Sequence, residues 1–325
     1  MKLDNLDRHL LYLLDQNSRA PPSELAHMLG RSRETIEYRI RNLVRRGVVR
    51  SFVVVLDLAK LGLVNYAVYL KLNNLDTSKH ELFINEMSRR GHVIWLASLG
   101  GRFDFVIEMP ARSPFEFDSR ISDLLEDYSA DISDHHVAPW ISQYTLGKKY
   151  LWPEQAANKP PKPVSVQSHI SERPYGLDDL DRKILQCLAN DARISLAELG
   201  RRIRVPPTTV SFRLKQLERS GIITGYTTFQ RAQTYGYTRF KALISSRNFT
   251  RKDEIGLLAF CSLHPNIYFC GKTIGSWDFE IEVEVPGPQE YQRFLVDFRS
   301  RFDDIINNLE SLSVFEEHKL TFWSE

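Results

Sequence analysis

The side chains in this sequence that can carry chemistry point to binding rather than to bond breaking. Cys187, Cys261 and Cys270 form no CxxC pair and no metal-ligand cluster, which is the usage of reduced thiols in a reducing cytoplasm. There is no phosphate-binding glycine loop, no metal-ligand spacing and no Ser/His/Asp set with local support. No catalytic residue, metal ligand or cofactor is therefore expected. His135-His136 stands as an isolated pair. The basic residues are more informative. Arg31, Arg33, Arg41 and Arg45 share one short stretch with Ser32, Glu37 and Tyr38. An arginine can reach guanine O6 and N7 together, and a tyrosine can contact a phosphate or a thymine methyl. Arg31 and Arg45, with Arg39, Arg46 and Arg50, flank the stretch and suit phosphates. Double-stranded DNA is the partner that such residue types imply.

Those side chains need a helix to present them. Ile36, Ile40, Leu43 and Val44 recur at helical spacing as one apolar stripe, with Ser32 as cap and Gly47 as stop. Upstream, Pro21-Pro22-Ser23 opens a short helix with Leu25 and Leu29 inward, ending at Gly30. A first helix carries Leu6, Leu10, Leu11, Leu13 and Leu14 behind a capping Asp4. Two helices across a tight turn, the second with a polar outer face, make a helix-turn-helix that fits a major groove. Val48-Val49 then begins a strand.

The same unit recurs. Leu3-Asp4-Asn5-Leu6-Asp7-Arg8 returns 174 residues later as Leu177-Asp178-Asp179-Leu180-Asp181-Arg182. At that offset Arg19 meets Arg193, Arg39 meets Arg213, and Gly101-Arg102-Phe103-Asp104 meets Gly275-Ser276-Trp277-Asp278. Register held without a gap over so long a stretch marks a duplication. In the second copy Val210, Leu214 and Leu217 hold the core, while Thr208, Thr209, Ser211, Phe212 and Lys215 form the candidate reading face. Pro206-Pro207 replaces Ser32-Arg33 at the helix start. Charge follows the duplication. Residues 1–50 hold ten Lys and Arg against six Asp and Glu, and residues 177–226 hold nine against six. The stretches 51–150 and 227–325 each carry a net −3, so a polyanion is expected at the two short segments alone.

After each short segment the pattern reads strand, helix, strand, strand, helix, strand, near 64–72, 78–90, 92–99, 102–109, 114–127 and 132–145 in the first copy. That order is the split βαβ of a ferredoxin-like domain, whose sheet has one helix-covered face and one bare face in want of a partner. The expected fold class is α+β, with two winged-helix-like helix-turn-helix heads and two ferredoxin-like βαββαβ domains in tandem. The expected boundaries are 1–50 and 177–226 for the heads and 51–150 and 227–325 for the tails, with 151–176 as a Pro-rich linker. No apolar run approaches bilayer length, so a cytoplasmic protein without membrane contact is expected.

Head, hinge strand, tail and loop together resemble the leucine-responsive regulator/AsnC family. The resemblance is carried by LDxLDR, by TIEYRIRNLVRRGVV and TVSFRLKQLERSGII, and by the two GxxD loops, and it covers nearly the whole chain twice. It implies DNA-binding assemblies paired through the αβ domains, either as an intrachain pseudo-dimer or as a homo-oligomer. It also implies an amino acid or related small effector beside the GxxD loop, which makes Gly101, Phe103, Asp104, Gly275, Trp277 and Asp278 the candidate effector residues. A glycine permits the tight turn, and the Asp can accept from an effector ammonium or from backbone amides. Members of the family are normally single units, so the tandem is a departure. Siroheme decarboxylases, enzymes similar to this family, are the alternative. Such enzymes need histidines gathered over a tetrapyrrole, whereas His92 in the first copy becomes Asn266 in the second.

Overall fold

Each half of the duplication folds through the same order of elements, set by its apolar periodicity. The computed structural model describes residues 3–73, 76–168, 173–247 and 249–323, so residues 169–172 of the expected linker lie outside it. The first half runs α1 (Asn5–Gln16), α2 (Pro22–Leu29), α3 (Arg33–Arg45), β1 (Val49–Leu56), β2 (Val64–Leu72), α4 (Thr77–Arg89), β3 (Trp95–Gly100), β4 (Phe105–Ala111), α5 (Pro114–Asp127) and β5 (Ile132–Thr145). The connecting segment holds α6 (Pro153–Asn158) and β6 (Val164–Gln167). The second half runs α7 (Asp179–Asn190), α8 (Leu196–Ile203), α9 (Pro207–Arg219), β7 (Ile223–Gln230), β8 (Thr238–Ser246), α10 (Arg251–Leu263), β9 (Ile267–Thr273), β10 (Phe279–Val285), α11 (Pro288–Phe302) and β11 (Ile306–Leu320). No described helix is long and apolar enough to cross a membrane.

The bare sheet faces are covered by each other. The strands run β2-β4-β3-β11-β8-β10-β9-β5-β6, and a further β2–β5 pairing closes eight of them into a barrel with β6 outside. Closure depends on the two longest strands, which serve both halves. β5 pairs through residues 132–139 with β2 and through 140–145 with β9. β11 pairs through residues 306–314 with β8 and through 313–320 with β3. The outer faces pack against α4 and α5 in the first tail and α10 and α11 in the second. Between the sheets lies an apolar layer that includes Tyr69, Phe103, Trp140, Leu243 and Trp277. Closure leaves only short edges and buries both faces of β2, β3, β4 and β10.

The heads are joined in a similar way. β1 and β7 form a separate antiparallel pair. Val53, Val54, Val55 and Leu56 of β1 pack into the core of the second head, beside Ile184 and Leu185. Two expectations change here. Val44 is 41% exposed rather than part of the core stripe, because the neighbouring helices cover only Ile36, Ile40 and Leu43. The linker is not a free spacer. Trp152 stacks on His9 with centroids 3.9 Å apart. Gln167 receives the Asn65 amide at 2.8 Å and donates to the Trp140 carbonyl, so β6 is pinned to the barrel edge.

Candidate nucleic-acid interface

The third helix of each head is held in place by the acidic motif that opens the unit. Asp4 caps α1 by accepting the Asp7 amide at 2.7 Å, and Asp7 is itself buried. Arg39 on the inner flank of α3 reaches Asp7 at 2.9 Å and Asp4 at 2.5 Å. In the second head Arg213 of α9 meets Asp178 at 2.7 Å and Asp181 at 3.5 Å. The repeated LDxLDR therefore orients the reading helix, and Arg39 serves this frame rather than a phosphate. Arg50 likewise turns away from the head, donating to the Glu317 carbonyl at 2.5 Å and lying over Phe229.

The remaining candidates face outward. Ser32 caps α3 by accepting the Thr35 amide at 3.2 Å. Arg31, Arg33, Arg41 and Arg45 are exposed, and Tyr38 is 56% exposed beside them. Glu37 is half-buried and braces Arg33 at 2.8 Å, one turn away. On α9, Thr208 and Lys215 are exposed and Phe212 is 66% exposed, while Thr209 and Ser211 are half-buried. The outer face of α3 is thus rich in arginine, and that of α9 is carried by Phe212 and Lys215, with Arg219 in its last turn.

A reciprocal clasp fixes the two heads to each other. Arg19 donates to the carbonyls of Ala192 and Ile194, the latter at 3.3 Å, and lies over the Tyr226 ring. Arg193 donates to the carbonyls of Ser18 and Ala20, the latter at 3.2 Å, and lies over Phe52. Each arginine of the repeat thus holds the other copy. Together with the antiparallel β1–β7 pair, this relates the heads by a local twofold axis.

The two GxxD loops meet at the barrel rim. Gly101 and Gly275 have φ of +125° and +131°, which only glycine adopts without strain. A Cβ on Gly101 would lie 3.0 Å from Leu312, and one on Gly275 would lie 3.0 Å from the Val137 carbonyl, so each loop abuts the long strand of the other half. Phe103 and Trp277 are buried with centroids 6.4 Å apart. The carboxylates already have partners. Asp104 accepts the Leu72 amide at 2.8 Å and Lys71 at 3.0 Å, and Asp278 accepts the Ser246 amide at 2.7 Å. Of the histidine pair, His135 is exposed, and His136 lies between Arg102 at 2.5 Å and Ser276 at 2.9 Å.

The sequence reading did not anticipate the chemistry inside the barrel. Lys241 is fully buried, 2.7 Å from Glu280 and 2.9 Å from Glu282. Glu284 receives Lys148 at 2.5 Å and Arg239 at 2.6 Å. Burial opposes its charge, but the two cations hold its carboxyl down at about 2. Glu108 is bonded by neutral donors, Asn65 at 2.7 Å with Trp140 and Gln143 at 3.1 Å, and burial lifts its carboxyl to about 7. Between the β1–β7 pair, β6 and the barrel lies a cavity of about 110 Å³, with Asp15, Glu108, Glu317 and Phe269 on its wall. The alternation of Glu280, Glu282 and Glu284 with apolar residues, together with Arg239 and Lys241, was the available signal.

Residues 3–44 match the AsnC-type helix-turn-helix domain, and residues 177–224 match the winged helix-turn-helix DNA-binding domain. An uncharacterised HTH-type transcriptional regulator of Pyrococcus abyssi is 31% identical over 137 residues, which span 41% of this chain and 83% of the relative. The HTH-type transcriptional regulator AldR of Mycobacterium tuberculosis is 31% identical over 131 residues, 40% of this chain and 72% of AldR. Among solved structures, the siroheme decarboxylase NirDL is similar over 98% of this chain and 93% of its own, with a TM-score of 0.60 and 15% identity, a likeness of fold alone.

Proposed function

Because the chain belongs to the leucine-responsive regulator/AsnC family of DNA-binding transcriptional regulators, we propose that it acts as a single-chain pseudo-dimer reading two unlike, inverted half-sites. α3 reads one half through Arg33, Tyr38 and Arg41, and α9 reads the other through Thr208, Phe212 and Lys215. One observation carries this reading: the antiparallel β1–β7 pair and the Arg19/Arg193 clasp relate the heads by a twofold axis, while the two exposed helix faces differ in chemistry. A symmetric dimer prefers a palindrome, and unlike faces on the same frame break that symmetry. Holding both heads in one chain also makes the second contact intramolecular. A small effector at the paired GxxD loops, and action in the cytoplasm on the chromosome, complete the reading. Selection of duplexes from a random pool tests it. The expected product is an inverted repeat with one constant half that Tyr38→Ala alters and another that Phe212→Ala alters. Perfect palindromes alone would overturn it.

An enzymatic reading draws on a single observation, the end-to-end likeness of fold to a siroheme decarboxylase. Against it, the 110 Å³ cavity has no histidine on its wall, and pockets for ligands of drug size run to about 300–1,000 Å³. Titration with siroheme, followed by absorbance, separates the readings: a saturable band shift favours the enzyme.

A further inference from the structure

The cavity between the head pair and the barrel is walled by the heads, the connecting strand β6 and the barrel. Asp15 reaches it from α1, Val55 from β1, Thr228 from β7, Val166 from β6, and Glu108 and Phe269 from the barrel. Its charges are unequally matched. Of the acidic residues on the wall, Glu317 is paired with Arg239, and Glu282 with Lys241 behind it. Lys148, also on the wall, is engaged by Glu284. Glu108 and Asp15 are left over among the acids, and the exposed Lys162 at the outer wall among the bases. Among the described residues neither acid makes an ion pair with a cationic side chain: Glu108 is held by Asn65, Trp140 and Gln143, and Asp15 by the Lys148 amide at 2.8 Å and the Thr227 hydroxyl at 3.2 Å. No group of three His, Cys, Asp or Glu suited to a metal ion forms among the described residues. Phe269 and Val166 add apolar surface. Glu108 is buried and Asp15 half-buried, and a buried carboxyl lacking a cation either keeps its proton or takes a cationic guest that fits the space.

We propose that this cavity is a binding site for a compact organic ammonium ion, which places its charge against Glu108, with Asp15 as a second carboxylate on the same wall, and its apolar body against Phe269 and Val166. A volume of about 110 Å³ is on the scale of engineered cavities that admit benzene. The site lies apart from the GxxD loops at the rim. It contacts both the shared head strands and the tails, so its occupant bears on how the heads sit over the barrel. The inference does not depend on the operator reading, since it is read on the protein without DNA.

Benzylamine is the probe, with benzyl alcohol and benzoate as matched neutral and anionic controls, and calorimetry and thermal unfolding of the full chain as readouts. Benzylamine is expected to bind saturably in the millimolar range and raise the unfolding temperature, while neither control does. Glu108 is faced by Lys241 of β8, Glu280 and Glu282 of β10, and the neutral donors Asn65, Trp140 and Gln143. Arg239, Lys148, Lys162, Asp15, Glu317, Tyr226 and Tyr268 share the same cavity. The carboxyl holds its proton up to about 7, so the ammonium ion must displace that proton at lower pH. Affinity should therefore rise about tenfold from pH 6 to pH 8, with proton release on binding near pH 6. Glu108→Gln should abolish both the pH dependence and most of the affinity. Asp15→Asn, on a different element, should weaken binding independently. Equal stabilisation by benzyl alcohol, unchanged affinity in both variants, or no saturable binding would each overturn the proposal.

Discussion

Replacing Lys241 with methionine tests the account of the barrel interior most directly. Its ammonium is fully buried, 2.7 Å from Glu280 and 2.9 Å from Glu282, and lies 4.9 Å from the Trp95 ring centre. Methionine keeps most of the volume, so little of the loss comes from a cavity. What remains is two buried carboxylates whose shared cation is gone. Glu280 keeps the Tyr69 hydroxyl and the Trp277 indole, each at 2.7 Å, and Glu282 keeps the Tyr268 hydroxyl. Removing one partner of a buried pair costs about 3–5 kcal/mol. With one lysine serving two acids, the loss should fall at the upper end, at about 5 kcal/mol. Urea unfolding at pH 7 and pH 5 measures it. Because the penalty comes from ionised carboxylates, it should shrink at pH 5 as they take up protons, and Lys241→Met/Glu280→Gln/Glu282→Gln should recover most of it. A loss below about 1 kcal/mol, or a loss independent of pH that the triple variant does not recover, would refute the reasoning.

Other outcomes follow from the same geometry. Glu108→Gln should flatten the pH dependence of stability: the folded state holds this proton up to about 7 against an ordinary value of 4.5, so wild-type stability should fall by about 3 kcal/mol as pH rises through that window, as followed by urea midpoints. Arg19→Ala removes two hydrogen bonds to carbonyls of the other head and should cost about 1.5–3 kcal/mol, with relaxed half-site spacing in binding assays as its signature. Arg41→Ala should reduce the slope of log affinity against log salt by about 1 if the side chain meets a phosphate, or relax one base position if it meets guanine. Fluorescence anisotropy on duplexes of varied sequence distinguishes these outcomes.

Much of this molecule can be read from local pattern. The Asp4 and Ser32 caps, the helix stripes, the 174-residue repeat and the extents of β2 and β5 all express short-range periodicity, which depends on a few neighbouring residues. The GxxD loops could be found in the same way, but whether their carboxylates bind a guest or the chain could not. Asp104 and Asp278 hold the amides of Leu72 and Ser246, which lie on other strands. Val164–Gln167 is too short to carry a periodic signal and becomes a strand because β5 offers it an edge.

The partner surfaces had to come from the fold. The run from Phe279 to Val285 alternates as a half-exposed strand would, yet all seven residues are buried, since the acidic face points into the barrel, where Lys241 and Arg239 of the neighbouring strand β8, with Lys148, meet it. A period of two shows that a strand has two unlike faces but does not identify what lies against each one. In the same way, nothing in the run of β5 marks where it leaves β2 for β9, because alternation continues unbroken through the change of partner. Which half covers which, and therefore which charges are buried, is set by long-range closure of the barrel, where the energies of pairing and desolvation act between residues far apart in the chain.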